Sequence, residues 1–166
     1  MTDGYRVEAL VAQDRTSFSC GEPTLDAYFQ TRISQDVRRD LTHAFVAVDA
    51  TTRAVAGFYT LSAATVRLDL LPESLSRRLP RYPEAPGALI GRLAVDLVHQ
   101  GAGLGNFLLL DGIARALQSD LGVFAILVDP KNERARAFYE RLGFAPLLGD
   151  ARLFLTAATA RKAMAR

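Results

Sequence analysis

A glycine-rich loop between a predicted strand and a predicted helix is the feature of this sequence best suited to chemistry. The apolar run Leu89–Val95 has the profile of a buried strand, and glycines follow at Gly101, Gly103 and Gly105. From residue 104 onward, apolar residues recur at steps of three and four, which predicts a helix. Backbone N–H groups at a helix start attract anions, and glycine lets the backbone approach a ligand closely. The pattern predicts an anion-binding loop.

Two nucleotide-binding motifs contain similar glycines, and neither fits. The dinucleotide fingerprint requires G-x-G-x-x-G, whereas the glycines here run G-x-G-x-G. A P-loop continues from its last glycine with lysine and then serine or threonine, but Asn106 and Phe107 occupy those positions. From the residues alone, the alternative is a tight turn that only packs a helix against a sheet.

Taken together with Arg92–Asp96, the segment Gln100–Gly105 resembles the Q/R-x-x-G-x-G/A pyrophosphate loop of the GNAT acyltransferases. The resemblance implies acetyl-CoA as co-substrate, and because the sequence has two histidines and no Cys/His cluster, no metal is expected. It also implies that the strand before the loop pairs with the pantetheine amides, and that an N–H near Val95 donates to the carbonyl oxygen as charge develops there. The residues expected to bind acetyl-CoA are Leu93, Ala94, Val95, Gln100, Gly101, Ala102, Gly103, Leu104, Gly105, Asn106, Asn132 and Phe138.

The stretch Asn132–Phe144 resembles the GNAT segment after the second buried strand, where Tyr139 matches the tyrosine beside the thioester sulfur. A free thiol has a pKa of about 8.5 and tyrosine one of about 10, so a phenol can share its proton with the leaving thiolate. The alternative is a tyrosine that only packs with Phe138. Asn132 is expected to cap the next helix and, as in the family, to contact pantetheine. The sequence contains no unambiguous general base, and an α-amine, with a pKa of about 8, does not require one.

Three further stretches make the resemblance narrower: Phe18–Gly21 followed by Leu25–Phe29, then Gly57–Ser62, then Gly91–Asp96. They resemble the tRNA-acetylating GNAT toxins of bacterial toxin–antitoxin pairs. That resemblance implies transfer of acetyl to the amino group of aminoacyl-tRNA, arrest of translation and neutralisation by a ribbon–helix–helix antitoxin. It leaves a homodimer open. Acetylation of a small amine or a protein N-terminus is one alternative, and a non-catalytic module that binds CoA or a partner is another.

The arginines are unevenly distributed, although the net charge of +2 is too small to indicate nucleic acid by itself. The crossover Leu68–Pro86 carries the set expected to contact tRNA phosphates, namely Arg77, Arg78 and Arg81. A second set, Arg32, Arg38 and Arg39, is the next candidate. For either set, the alternative is an ordinary solvated face.

Composition limits the remaining possibilities. A chain of 166 residues with 49% apolar residues predicts one globular domain over residues 1–166. The uncharged stretch Ala54–Val66 is shorter than the roughly 20 residues of a membrane span, and residues 1–11 lack a signal-peptide core, so a cytoplasmic protein is expected. Cys20 is the only cysteine, which excludes an intrachain disulfide, and two histidines give no zinc-binding cluster.

The order of periodic segments predicts an α/β domain with a mixed sheet. The predicted strands cover residues 5–11, 42–48, 54–66, 89–95, 123–128 and 152–155, and the predicted helices residues 25–38, 73–79, 104–118, 133–141 and 157–165. Strands 89–95 and 123–128 flank one helix and are expected to be parallel neighbours. The resemblance makes this the GNAT fold, a mostly antiparallel sheet whose central parallel pair splays around acetyl-CoA between flanking helices.

Overall fold

The computed structural model describes residues 3–165. In that part of the chain the strands are β1 (Tyr5–Ala9), β2 (His43–Asp49), β3 (Val55–Arg67), β4 (Glu84–Val95), β5 (Ala125–Val128), β6 (Ala145–Pro146) and β7 (Leu153–Thr156). The helices are α1 (Pro23–Thr31), α2 (Ile33–Arg38), α3 (Glu73–Ser76), α4 (Leu104–Gln118), α5 (Glu133–Arg141) and α6 (Ala157–Met164). Short 3-10 turns at Leu68–Leu70 and Leu97–His99 complete the regular structure of the described residues.

The strands form one sheet in the order β1-β2-β3-β4-β5-β7-β6. The pairs β1–β2, β2–β3, β5–β7 and β6–β7 are antiparallel, and β4–β5 is parallel. The parallel pairing runs from Gly87↔Ala125 to Ile90↔Val128, and β4 then continues to Val95. The prediction of a mixed, mostly antiparallel sheet with one central parallel pair is confirmed.

The chain forms two compact units, and β3 and β4 run through both. The first unit comprises the residues up to Ser62 together with Arg92–Ala114, and the second comprises Ala63–Gly91 together with the residues from Arg115 onward. The glycine loop belongs to the first unit. Tyr139 and the predicted tRNA-binding arginines of the crossover belong to the second.

Three phenylalanines form the centre of the first unit. The rings of Phe29 in α1 and Phe58 in β3 stack with their centroids 4.1 Å apart, and Phe18 meets both edge-on. All three side chains are buried. Aromatic pairs of this kind add about 0.5–1.5 kcal/mol beyond the free energy of burying their area, so they fix α1 against the sheet.

In the second unit, the backbones of the parallel strands β4 and β5 lie unusually close together at Gly87. A Cβ at Gly87 of β4 would lie 3.2 Å from the carbonyl oxygen of Ala125 and 3.2 Å from Val66 Cγ2, so only glycine fits without displacement. All four residues of β5 are buried. A strand that is buried on both faces has a continuous run of apolar residues, and this run is why a strand was predicted here.

Several predicted elements were wrong in their boundaries and one was missed: the strands predicted over 5–11 and 123–128 and the helix predicted over 73–79 are each two or three residues shorter. The single helix predicted over 25–38 is two helices, because Arg32 leaves helical geometry with φ of −120°. Strand β4 begins at Glu84 rather than at residue 89 and contains Pro86. The two-residue strand β6 was not predicted, and it also contains a proline. The predicted bounds of α4 and α5 are confirmed.

Candidate active site

The glycine loop leaves its backbone accessible. Gly101 and Gly103 have φ of +89° and +82°, a left-handed conformation that side chains disfavour. A Cβ added at either residue would meet no atom within 4 Å, so the space beside the loop is open. Helix α4 begins immediately afterwards at Leu104, and the first four N–H groups of an α-helix have no acceptor within the helix. The loop therefore has the conformation, the space and the helix start that a diphosphate requires.

Leu104 is itself buried, so its side chain anchors the helix start and its backbone is the part that faces the loop. Asn106 is exposed in the first turn of α4, and Ala102 and Gly105 are half-buried. A ligand in this loop would consequently meet main-chain groups together with the Asn106 side chain.

Buried Asp96 fixes the entry to the loop. One of its carboxylate oxygens accepts a hydrogen bond from Ser19 N at 3.0 Å, and the other accepts one from Val98 N at 3.1 Å. The Asp96 N–H donates to Ala56 O at 2.8 Å. These bonds join β4, the 3-10 turn and the segment before α1, so Asp96 holds the loop in place.

Gln100 also contributes to the loop's shape. Its side-chain amide donates to Val95 O at 2.9 Å, and its backbone N–H donates to Leu97 O at 3.4 Å. The residue predicted as a direct ligand thus holds the loop against the end of β4 in this geometry. Along that strand Ala94 is buried beneath α1, whereas Leu93 and Val95 alternate to the opposite face and are half-buried.

Tyr139 lies in α5 of the second unit and is buried, with 6% of its surface exposed. Its ring meets Phe138 and Phe144 edge-on, at centroid distances of 5.3 and 5.7 Å. Burial, with a smaller contribution from the negative charge of Asp129, raises the pKa of Tyr139 to about 12. The phenol therefore keeps its proton throughout the physiological pH range and can act as a hydrogen-bond donor.

The ends of α5 have the expected caps. The side-chain oxygen of Asn132 accepts from Ala135 N at 2.8 Å, which confirms Asn132 as the N-cap. Gly143, with φ of +103°, follows the C-cap residue Leu142. Just before α5, Asp129 accepts two hydrogen bonds from Arg152, of 2.7 and 3.1 Å, which hold its carboxylate in place.

Arg77, Arg78 and Arg81 are exposed along the crossover, as the sequence predicted. Arg77 lies 3.8 Å from Glu73 in an ion pair whose side chains are 73% and 82% exposed, and such pairs contribute about 0–1 kcal/mol. In the first unit, Arg32, Arg38 and Arg39 are exposed at the ends of α2. The sequence did not single out the side chain of Arg92, whose guanidinium lies over the ring of Tyr28.

Within residues 3–165, no helix combines the length and apolar character needed to cross a membrane. The same range holds no group of three or more His, Cys, Asp or Glu side chains arranged to bind a metal ion. Cys20 is buried among the aromatic residues of the first unit.

A mixed sheet with one parallel pair, an open glycine loop at the start of α4 and a buried tyrosine in α5 are features of an acetyl-CoA-dependent N-acetyltransferase. The model of the Acetyltransferase (GNAT) family matches residues 8–144, which is most of the chain. The chain belongs to this family.

Two relatives are similar over most of their length. A tRNA-acetylating toxin of Mycobacterium tuberculosis is 39% identical over 135 residues, covering 80% of this chain and 79% of the relative. A probable toxin TacT of Sinorhizobium fredii is 30% identical over 161 residues, covering 91% and 89%.

Two solved structures share the fold closely. AtaT complexed with acetyl-methionyl-tRNAfMet has a TM-score of 0.89 and 29% identity, covering 96% of this chain and 99% of AtaT. A mutant AtaT bound to the C-terminus of the antitoxin AtaR and to acetyl-CoA has a TM-score of 0.84 and 26% identity, covering 99% and 100%.

Proposed function

We propose that this protein transfers the acetyl group of acetyl-CoA to the α-amino group of aminoacyl-tRNA. The observation that carries the proposal is the 39% identity to a tRNA-acetylating toxin over 79% of that protein's length. The fold shared with AtaT, which has been captured with an acetylated aminoacyl-tRNA, supports the same acceptor.

The proposed acetyl-CoA site in the first unit is the loop and the end of β4. Backbone groups of residues 100–106 bind the pyrophosphate, a role supported by the left-handed glycines and the open space beside them. Residues 93–95, beyond the part of β4 that pairs with β5, present main-chain groups to the pantetheine amides. Bound there, acetyl-CoA supplies an activated thioester, and the N–H of Val95 donates to its carbonyl oxygen as negative charge develops.

In the second unit, we assign Tyr139 as the hydrogen-bond donor to the leaving sulfur, with Asn132 and Phe138 as pantetheine contacts. A thiol has a pKa of about 8.5, so complete transfer of a proton from a phenol with a pKa of about 12 to a thiolate is unfavourable. Tyr139 therefore stabilises the leaving sulfur by a strong hydrogen bond and remains a phenol, while the thiolate takes up the proton that the attacking amine loses as the amide forms.

Acetylation would stop translation for a chemical reason. An amide nitrogen is not nucleophilic, so an N-acetylated aminoacyl group cannot accept a growing peptide.

We further propose that a ribbon–helix–helix antitoxin neutralises the protein, with the AtaT–AtaR complex as support. A small adjacent reading frame with that pattern would be the first check. A homodimer stays a prediction that light scattering on the purified protein can test.

Cell-free translation with and without acetyl-CoA tests the proposed function. We expect arrest only when acetyl-CoA and protein are both present, together with N-acetylated aminoacyl groups in the recovered tRNA pool. Translation that continues while acetyl appears on free amines or protein N-termini would replace the proposal with one of the two other acceptors.

A further inference from the structure

Two arginines of the first unit converge on one aromatic ring. The guanidinium carbon of Arg92 lies 3.7 Å from the centroid of the Tyr28 ring, and that of Arg32 lies 5.8 Å from it. Both arginines are exposed, whereas Tyr28 is 4% exposed. Tyr28 is thus a buried platform with two cationic side chains over it, each within the range of a cation–π contact.

The platform is held from both sides. The Tyr28 hydroxyl donates to Asp36 at 2.8 Å, which fixes the ring on the helical side. On the sheet side, the backbone N–H of Arg92 donates to the hydroxyl of buried Thr60 at 3.0 Å. Arg92 also shares a face of β4 with Ala94, which is buried in the same aromatic core as Tyr28. Arg92 therefore pays less conformational entropy to bind a ligand than a free surface arginine would.

A guanidinium that stacks through its face keeps its N–H donors at the edge. Those donors form a planar fork that matches two oxygens of a phosphate. Among residues 3–165, neither Arg92 nor Arg32 forms an ion pair with a carboxylate within 4 Å. Asp36, the acidic group bonded to the platform, accepts its hydrogen bond from the Tyr28 hydroxyl. The two cations are consequently available to an external anion.

We propose that Arg92, assisted by Arg32, binds a backbone phosphate near the 3′ end of the aminoacyl-tRNA. The inference rests on the proposed function and names residues that bind its acceptor. Arg92 directly precedes Leu93, where the proposed acetyl-CoA strand segment begins. The amino acid is esterified to the terminal ribose, so a phosphate lies within one or two nucleotides of the reacting amine. A peptide N-terminus carries no such group.

Steady-state kinetics of Arg92→Gln at several salt concentrations test this proposal, with Arg6→Gln as the matched control. Arg6 is an exposed strand arginine of the same unit, 3.7 Å from Glu8. We expect Arg92→Gln to raise the KM for aminoacyl-tRNA at least tenfold, with kcat within threefold. The log KM against log salt slope should become shallower by about 0.7–0.9, the value for one phosphate contact. Arg6→Gln should change neither.

Two further variants make the result specific. Arg92→Lys keeps the charge but loses the planar fork, so its KM should lie between those of the wild type and Arg92→Gln. Tyr28→Phe keeps the ring but removes the donor to Asp36, so this carboxylate can compete for the arginines and the KM should rise, by less than in Arg92→Gln. Acetyl-CoA affinity, measured by calorimetry, should stay within twofold for all of these variants, which also shows that each is folded.

The possible failures are distinguishable. If the wild type acetylates aminoacyl-tRNA but Arg92→Gln shows an unchanged KM and salt slope, the phosphate site is wrong and the proposed function stands. An equal rise in KM for a peptide acceptor without phosphates would also overturn the site. If the wild type transfers no acetyl to aminoacyl-tRNA, the proposed function fails, and the inference fails with it.

Discussion

Tyr139 is the residue on which the proposed chemistry depends most. Tyr139→Phe should preserve the edge-on packing against Phe138 and Phe144 and remove only the hydroxyl. We expect acetyl-CoA affinity to be retained and kcat to fall by about 10²-fold, the lower range for loss of one hydrogen-bond donor to a developing negative charge. Calorimetry and steady-state kinetics measure the two effects separately. A kcat within threefold of the wild type would remove Tyr139 from the mechanism.

The raised pKa of Tyr139 makes a second prediction at this scale. A phenol with a pKa of about 12 remains protonated as pH increases to about 10, so its ionisation cannot reduce the rate in that range. The acceptor amine must lose its proton, which happens near pH 8 for an α-amine. The rate should therefore rise through pH 7–8 and stay level up to pH 10. A fall below pH 10 that is absent in Tyr139→Phe would contradict this assignment.

Individual residues differ in how well the sequence predicted their roles. Asn132 precedes an amphipathic segment in a spacing typical of an N-cap, and the cap is present. The stack of Arg92 on Tyr28 brings together residues far apart in sequence, and neither residue belongs to a recognisable pattern with the other. Gln100 fits a family motif, but its hydrogen bonds to Val95 and Leu97 follow from the three-dimensional loop.

At the scale of elements, the loop before α4 needs a left-handed backbone at Gly103 and open space for the pyrophosphate. One substitution at this glycine tests both. Gly103→Glu places a side chain at φ of +82° and a negative charge at the proposed pyrophosphate site. We expect a loss of roughly 1–2 kcal/mol in ligand-free stability from the left-handed backbone. Acetyl-CoA should no longer raise the melting temperature, whereas at 100 times Kd it stabilises a binding protein by about 2.7 kcal/mol.

Gly149→Glu is the matched control for the loop. Gly149 has φ of +67°, and a Cβ there would also meet no atom within 4 Å, so the backbone strain is comparable. This variant should lose similar stability and still be stabilised by acetyl-CoA. Thermal melts of both variants with and without ligand provide the comparison. Equal stabilisation of the two would show that the loop does not bind the pyrophosphate.

Elements with strong local signals were predicted closely, and the others depended on their surroundings. Helix α4 has clear apolar periodicity, helix α5 has a capping asparagine before it and Gly143 after it, and both lie where expected. The break at Arg32 has no proline or glycine to mark it. Strand β4 crosses Pro86, a residue that argues against a strand unless its surroundings tolerate the missing donor.

At the scale of the whole molecule, charge should govern how the acceptor binds. The triple variant Arg77→Ala, Arg78→Ala, Arg81→Ala removes three exposed positive charges from the crossover. We expect a higher KM for aminoacyl-tRNA and a shallower salt dependence, since phosphate contacts release counterions. Acetyl-CoA affinity should not change, and growth inhibition on expression should fade.

Removing a negative charge from the same crossover gives the control for the triple variant. Glu73 lies 3.8 Å from Arg77 and is 82% exposed. Glu73→Gln removes a negative charge, so it should lower the KM or leave it unchanged. Kinetics at two salt concentrations distinguish the outcomes. An unaltered slope in the triple variant would show that the crossover arginines are only solvated.

The most direct test of the central claim uses purified components. The protein is incubated with acetyl-CoA and a mixture of charged tRNAs, ribonuclease releases the terminal aminoacyl-adenosines, and mass spectrometry identifies any acetyl group and the nitrogen that carries it. Uncharged tRNA and Tyr139→Phe serve as controls. We predict acetyl on the α-amino group of one or more aminoacyl-adenosines, little with Tyr139→Phe and none with uncharged tRNA. Aminoacyl-adenosines that remain unmodified while acetyl-CoA is consumed on other amines would contradict the claim.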